Sequence, residues 1–194
     1  MKTEKNLILE ILGESLRLKD QCIRQNIDNI LSSIKTIASC IKSGNKILIF
    51  GYGGSAADAQ HLAAEFVNRF KIERPPLAAI ALTTDTSIIT SIGNDYNFDD
   101  IFSKQVQALG KKGDVAIGIS TSGNSKNVIQ AMHAAKKIGM YTMAMTGSRG
   151  ELARCSDMVF TVASETTARI QEVHITIAHI LCELVDRNLF PDSL

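Results

Sequence analysis

His61 and Glu65 stand four residues apart in residues 51–65, where glycines pass into an alanine-rich run. On a helix of about 3.6 residues per turn that spacing sends both side chains out of nearly the same face. An imidazole and a carboxylate can then meet one bound molecule, which is equipment for moving a proton. Just upstream, Gly51, Gly53 and Gly54 let backbone N–H groups approach an anion at the start of that helix. A second polar stretch, Ser120-Thr121-Ser122-Gly123-Asn124-Ser125, offers hydroxyls, a glycine and helix N-terminal N–H groups, the parts of a phosphate cradle. No Gly-Lys-Ser/Thr follows, so it is not a P-loop, and its spacing is not the dinucleotide fingerprint. The plain alternative is a Ser/Asn-rich turn that caps a helix.

Near the other end of the chain, residues 169–181 are apolar almost all round a helical wheel, which predicts burial on more than one side. Gln171 and His179 lie about 80° apart around that axis, and His174 lies about 60° to the other side of Gln171. Geometry therefore leaves open which histidine shares a cavity with Gln171. A buried histidine without a task is ordinarily hydrogen-bonded core, the default for His174 and for His133, the latter on a helix expected to be exposed. His61, Glu65, Gln171 and His179 together offer two nitrogens and two oxygens, a donor set that suits zinc or a similar ion. Without metal, the same groups are a carboxylate base and an imidazole acid. Spacing does not separate the two.

Short apolar runs must position these groups. They fall at 46–50, 78–82, 114–119, 141–145 and 158–162, each of a length that suits a strand covered on both faces. Helical patterns alternate with them at 56–68, at 87–92 with 102–109, at 125–138 and at 167–187, which predicts a parallel sheet with right-handed crossovers. Ligands in such sheets sit beyond the carboxyl ends of the strands, where both polar glycine-bearing segments fall. The first ~45 residues read as helix. Ile23, Ile27, Ile30, Ile34, Ile37 and Ile41 form a stripe ended by Ser43-Gly44-Asn45, to be buried on this chain or on another subunit.

Bulk properties narrow the class. With 194 residues and a formal charge of +1, the chain suits one domain, residues 1–194, and lacks the basic footprint of a direct nucleic-acid binder. Tryptophan is absent, which disfavours stacking platforms for single strands. Cys22, Cys40, Cys155 and Cys182 show no C-x-x-C pair and read as small buried hydrophobes. Residues 1–20 mix charges with leucines and hold no uninterrupted signal core, and no run reaches about 18 apolar residues. A soluble cytoplasmic protein without membrane segments is expected.

The ordered motifs carry a resemblance over nearly the whole length. Gly53-Gly54-Ser55 with Asp58, His61 and Glu65, then Arg69, Ile92-Gly93-Asn94-Asp95, residues 118–125, and Arg169-Ile170-Gln171-Glu172 with His174 and His179 resemble the bacterial phosphoheptose isomerase family of the sugar isomerase (SIS) fold. That resemblance implies a three-layer α/β/α domain with a five-stranded parallel sheet. It also implies a helical segment, residues 1–44, in the interface of a homotetramer. It implies isomerisation of sedoheptulose 7-phosphate to D-glycero-D-manno-heptose 7-phosphate, for the heptose of lipopolysaccharide or other glycans. Ser120, Thr121, Ser122 and Ser125 would hold the phosphate. Ser55, Asn94, Asp95 and Gln171 would touch the sugar, with Tyr52, Gly53, Gly54 and Arg69 among the substrate contacts. One zinc per subunit would take His61, Glu65, Gln171 and His179, with Glu65 as base and His179 as acid. Tyr52 departs from the family's asparagine at a turn where unusual backbone angles are expected. The same fold also serves a non-enzymatic protein that binds the replication initiator DnaA, and residues 184–191 and Asn68-Arg69-Phe70 resemble it.

Overall fold

The structure, a computed structural model, describes residues 3–193. Thr3 starts the first helix, its hydroxyl accepting the Asn6 N–H. The N-terminal segment is two helices, α1 (Glu4–Gln25) and α2 (Ile27–Lys42), where the isoleucine stripe predicts continuous helix. Asn26 breaks it: its side-chain amide donates to the Cys22 carbonyl at 2.9 Å and closes the end of α1, the competition with helix that asparagine favours. Ile30, Ile34 and Ile37 are buried in the core of this chain, whereas Ile27 beside the break is exposed.

Five strands alternate with the remaining helices: β1 (Ile47–Gly51), α3 (Gly54–Val67), β2 (Ala79–Ala81), α4 (Thr86–Asp95), α5 (Ser103–Leu109), β3 (Val115–Ser120), α6 (Lys126–Ile138), β4 (Tyr141–Gly147), α7 (Glu151–Arg154), β5 (Met158–Val162) and α8 (Thr167–Leu189). The short α7, and 3-10 turns at Phe98–Asp100 and Pro191–Ser193, lie below the length at which apolar periodicity shows. All pairings are parallel, in the order β2-β1-β3-β4-β5. β2, entered through Pro75 and Pro76, is an edge strand of only three residues, and a short edge offers little to pair with another strand.

Alternation along the strands divides the core in two. Ile47, Ile49, Ile117, Met143 and Phe160 meet helices α1, α2, α3 and α8 on one face. Leu48, Phe50, Ala116 and Ala144 meet α4 to α7 on the other. Each fully buried Leu, Ile or Phe contributes about 1.5–3 kcal/mol, so two such layers hold the sheet without disulfides. At the amino ends of the strands, buried Asp114 accepts the Lys46 and Lys111 N–H groups at 3.0 and 2.9 Å and pairs with the Lys46 ammonium at 2.6 Å. That satisfied carboxylate ties β1 to β3.

α8 buries His174 completely, with Nε2 3.3 Å from the Thr146 carbonyl at the end of β4. A carbonyl only accepts, so Nε2 carries the hydrogen; Nδ1 is buried without a partner among the described residues. Burial pushes the imidazole down from 6.5 to about 4, against the smaller raising effect of the Thr146 bond. The unfolded chain then binds the extra proton between those pH values. The contribution to stability is complete above about pH 6.5 and is lost as pH falls toward 4, by about 3 kcal/mol in all. Urea midpoints measured against pH should therefore fall more steeply across this range for the natural chain than for His174→Gln, which keeps a donor to Thr146.

Candidate active site

β1 and β3 lie side by side, Gly51 level with Ile119, and the chain leaves them toward opposite faces of the sheet through α3 and α6. That is the switch point of an open parallel sheet, where a crevice forms beyond the strand ends. The turn after β1 is tight. A β-carbon at Gly51 would lie 2.6 Å from the Ser55 carbonyl, and Gly53 takes φ +61°. Tyr52 carries no backbone strain, since no non-glycine residue among those described has positive φ. The unusual angle expected at position 52 belongs to Gly53. The Tyr52 ring, 61% exposed, rests edge-on against Phe98 with centroids 5.7 Å apart.

α8 packs over α3 on one face, and the ambiguity between the two late histidines ends there. His179 Nε2 lies 3.1 Å from His61 Nε2, which is itself 3.2 Å from Glu65 Oε1. His174 turns away to Thr146. Which of the two facing Nε2 atoms donates depends on the tautomer of each ring. Phe70 leans on the His179 ring at 5.4 Å between centroids. Gln171 reaches the start of α3, where a β-carbon on Gly54 would collide with its Nε2. One turn before His61, Asp58 has a buried Oδ2 without a partner among the described residues. Burial pushes its carboxyl up, while His61 pulls the other way. The His61 side chain is 47% exposed, so in one chain the cluster opens to solvent.

Two imidazole nitrogens and a carboxylate are the donor types that zinc accepts. Among the described residues, however, no group of three or more His, Cys, Asp or Glu side chains is arranged as a metal cage. The four cysteines are free and buried, and burial pushes their thiols up, Cys40 to about 11. That suits packing rather than nucleophilic or ligand roles.

In the serine loop Ser120 shares hydrogen bonds with Ser125 at 2.8 Å and with Ser122 at 3.4 Å. Ser125 occupies the N-cap of α6 yet makes no capping bond, so its hydroxyl faces the other serines. Gly123 at φ +67° presses against the β4–α7 turn; a β-carbon there would lie 2.6 Å from Thr146 Oγ1 and strike the Arg149 carbonyl. Thr121 and Ser122 line a cavity of about 190 Å³ with Ser148, Arg149, Glu165 and Thr167. Arg149, a cation on this cavity beside the serine loop, belongs to none of the sequence motifs. The rule that ligands gather beyond strand ends, applied to β4, points to it.

Ser55 is buried at the start of α3. Arg69, Asn94 and Asp95 are not drawn into the histidine cluster. Arg69 pairs with Glu73 at 3.6 Å, and the Asn94 amide donates to Asp95 at 2.8 Å on the exposed end of α4. No helix among the described residues is long and apolar enough to cross a membrane.

Residues 12–147 match the SIS domain family. The chain is 56% identical over 191 residues to the phosphoheptose isomerase of Nitratidesulfovibrio vulgaris strain Hildenborough, covering 98% of this chain and 92% of that protein. It is 57% identical to the phosphoheptose isomerase of Thermodesulfovibrio yellowstonii, over 91% of this chain and 89% of that one. Among solved structures, the phosphoheptose isomerase of Neisseria gonorrhoeae superposes with a TM-score of 0.89 at 45% identity, covering 95% of this chain and 99% of that chain. For the Francisella tularensis phosphoheptose isomerase the TM-score is 0.91 at 38% identity, covering 96% and 100%. With its parallel five-stranded sheet and its ordered glycine, histidine and serine motifs, the chain belongs to the phosphoheptose isomerase family of SIS-domain proteins.

Proposed function

We propose that this protein is an aldose–ketose isomerase that converts sedoheptulose 7-phosphate to D-glycero-D-manno-heptose 7-phosphate for heptose-containing glycans. The observation that carries the reading is the meeting of His61, Glu65 and His179 within 3.2 Å of one another in sequence of contact, beside a serine loop that opens a helix. Glu65 removes the proton on C1 of the ketose, and the electron pair forms the C1=C2 double bond of an enediol as O2 gains a proton from His179. Return of a proton to C2 and loss of the O1 proton leave the carbonyl at C1. No oxidant or reductant enters, because the carbonyl only changes place. Each positioned acid or base typically supplies about 10²–10⁴-fold in rate.

Ser120, Thr121, Ser122 and Ser125, with the first N–H groups of α6, bind the phosphate and set the distance from it to the reacting carbons. Ser55, Gln171, Asn94, Asp95 and Arg69, with the Tyr52-Gly53-Gly54 turn, contact the sugar, Asn94, Asp95 and Arg69 by exchanging their present surface partners for it. Zinc fits the donor types of His61, Glu65, Gln171 and His179, and when bound would polarise the sugar oxygens.

The assembly is proposed to be a homotetramer with residues 1–44 in its interface. In support, α1 leaves Ile8 64% and Leu16 57% exposed, with Leu9 and Leu12 between them also exposed, an apolar stripe that water does not favour.

Product NMR after incubation with sedoheptulose 7-phosphate tests the activity directly: an aldose C1 signal is expected, and an unchanged ketose would reject the enzyme in favour of a binding protein. Glu65→Gln should fold and assemble as the natural chain does and lose about 10²–10⁴-fold in kcat; wild-type turnover would remove Glu65 from the mechanism. Gly54→Ala adds helix propensity at a position of ordinary φ but drives a methyl group into Gln171. Its melting temperature should hold or rise while kcat/KM drops about 10²-fold. A charged residue in the exposed stripe, Leu12→Glu, should lower the mass measured by light scattering.

A further inference from the structure

Between α3 and β2 runs a segment whose Arg74 side chain is only 1% exposed. Its guanidinium satisfies carbonyls that a helix end leaves orphaned. Nη2 donates to the Glu65 carbonyl at 2.8 Å, and Nη1 donates to the Phe66 carbonyl at 2.7 Å and to the Asn68 and Pro75 carbonyls at 3.2 Å. The last turn of α3 has no basic residue of its own, so Arg74 also supplies the positive charge that a helix C-terminus favours. Nε donates to Asp186 Oδ1 at 2.9 Å. Asp186 lies on α8, seven residues and two turns beyond His179, and its other oxygen is buried without a partner among the described residues. One planar group thus joins the peptide that carries Glu65 to the helix that carries His179.

We propose that Arg74 is a positioning residue for the isomerisation, locking the C-terminal turn of α3 against α8 so that Glu65 and His61 face His179. The proposal rests on the reading of Glu65 and His179 as base and acid. The planar guanidinium reaches five acceptors, with the two Nη1 hydrogens shared among three carbonyls; that fork sets the angle between two helices as well as their separation, and a lysine, with one compact charge, does not reproduce it. A stabilising ion pair alone would not need the Glu65 carbonyl. A group that acts through the base and acid alters turnover more than substrate affinity, since the phosphate is held on the opposite side of the switch point by the serine loop.

The test uses the full chain with Arg74→Lys, measuring kcat and KM for sedoheptulose 7-phosphate and the ring-nitrogen NMR signals of its four histidines. We expect kcat to fall about 10²-fold, as a displacement of about 1 Å in a catalytic group can produce, with KM little changed. The His61 and His179 signals should move while those of His133 and His174 stay. Should the lysine variant not fold, the pair Arg74→Met with Asp186→Leu removes both charges at similar volume and should show the same signature. Wild-type kcat with unmoved His61 and His179 signals in a folded variant overturns the proposal, and failure of both variants to fold overturns it in favour of stability alone. A natural chain inert toward the sugar phosphate whose His61 and His179 signals still respond would reject the enzyme reading and keep the helix lock.

Discussion

The close packing of α8 on α3 is the interaction on which the rest of the site depends. Their buried faces meet in one core, with Ala59, Leu62, Ala63 and Phe66 from α3 and Val173, Ile177, Ala178 and Leu181 from α8. The alanines matter, because the distance between packed helices follows the side chains at their contact. A wider separation would leave the two Nε2 atoms, now 3.1 Å apart, out of reach of each other. The same packing has to be apolar below and polar at its rim, which is why His61 and His179 sit at the edge of the contact and not within it.

The sheet supplies the second constraint. With β1 and β3 adjacent and their following helices on opposite faces, the α3 turn and the serine loop open side by side. His61, Glu65 and His179 come from one face and the serine loop from between the faces. The serine loop is held by what has no side chain: Gly123 lies against Thr146 and the Arg149 backbone, and the Gly147 N–H donates to the Thr121 carbonyl at 3.1 Å. A loop so restrained keeps its hydroxyls fixed, and fixed donors avoid the cost of ordering.

The two faces of α1 show how one helix serves two environments. Ser15 donates to Glu172 at 2.6 Å, and Arg169 donates to the Ile11 carbonyl at 3.1 Å, so its inner face is tied to α8 close to Gln171. Its outer face keeps exposed leucines. Whatever touches that outer face acts on a helix tied to α8, which bears Gln171 and His179.

The five buried strands were legible in the chain because a strand covered on both faces must be a short continuous apolar run, and the order of runs and helical stretches is the order of elements. The His61–Glu65 pair was legible too, since a spacing of four residues on a helix is a local matter. Helical spacing did not separate His179 from His174, since both lie within a quarter-turn or so of Gln171; the family resemblance favoured His179, and the docking of α8 decides which faces α3. Nor did any local pattern mark the break at Asn26, where a side-chain amide replaces a helical bond, single out Arg74, or place Phe70 against His179. The Phe70–His179 and Arg74–Asp186 contacts join residues more than a hundred positions apart, and a contact of that kind exists only once the two helices share one face of the sheet.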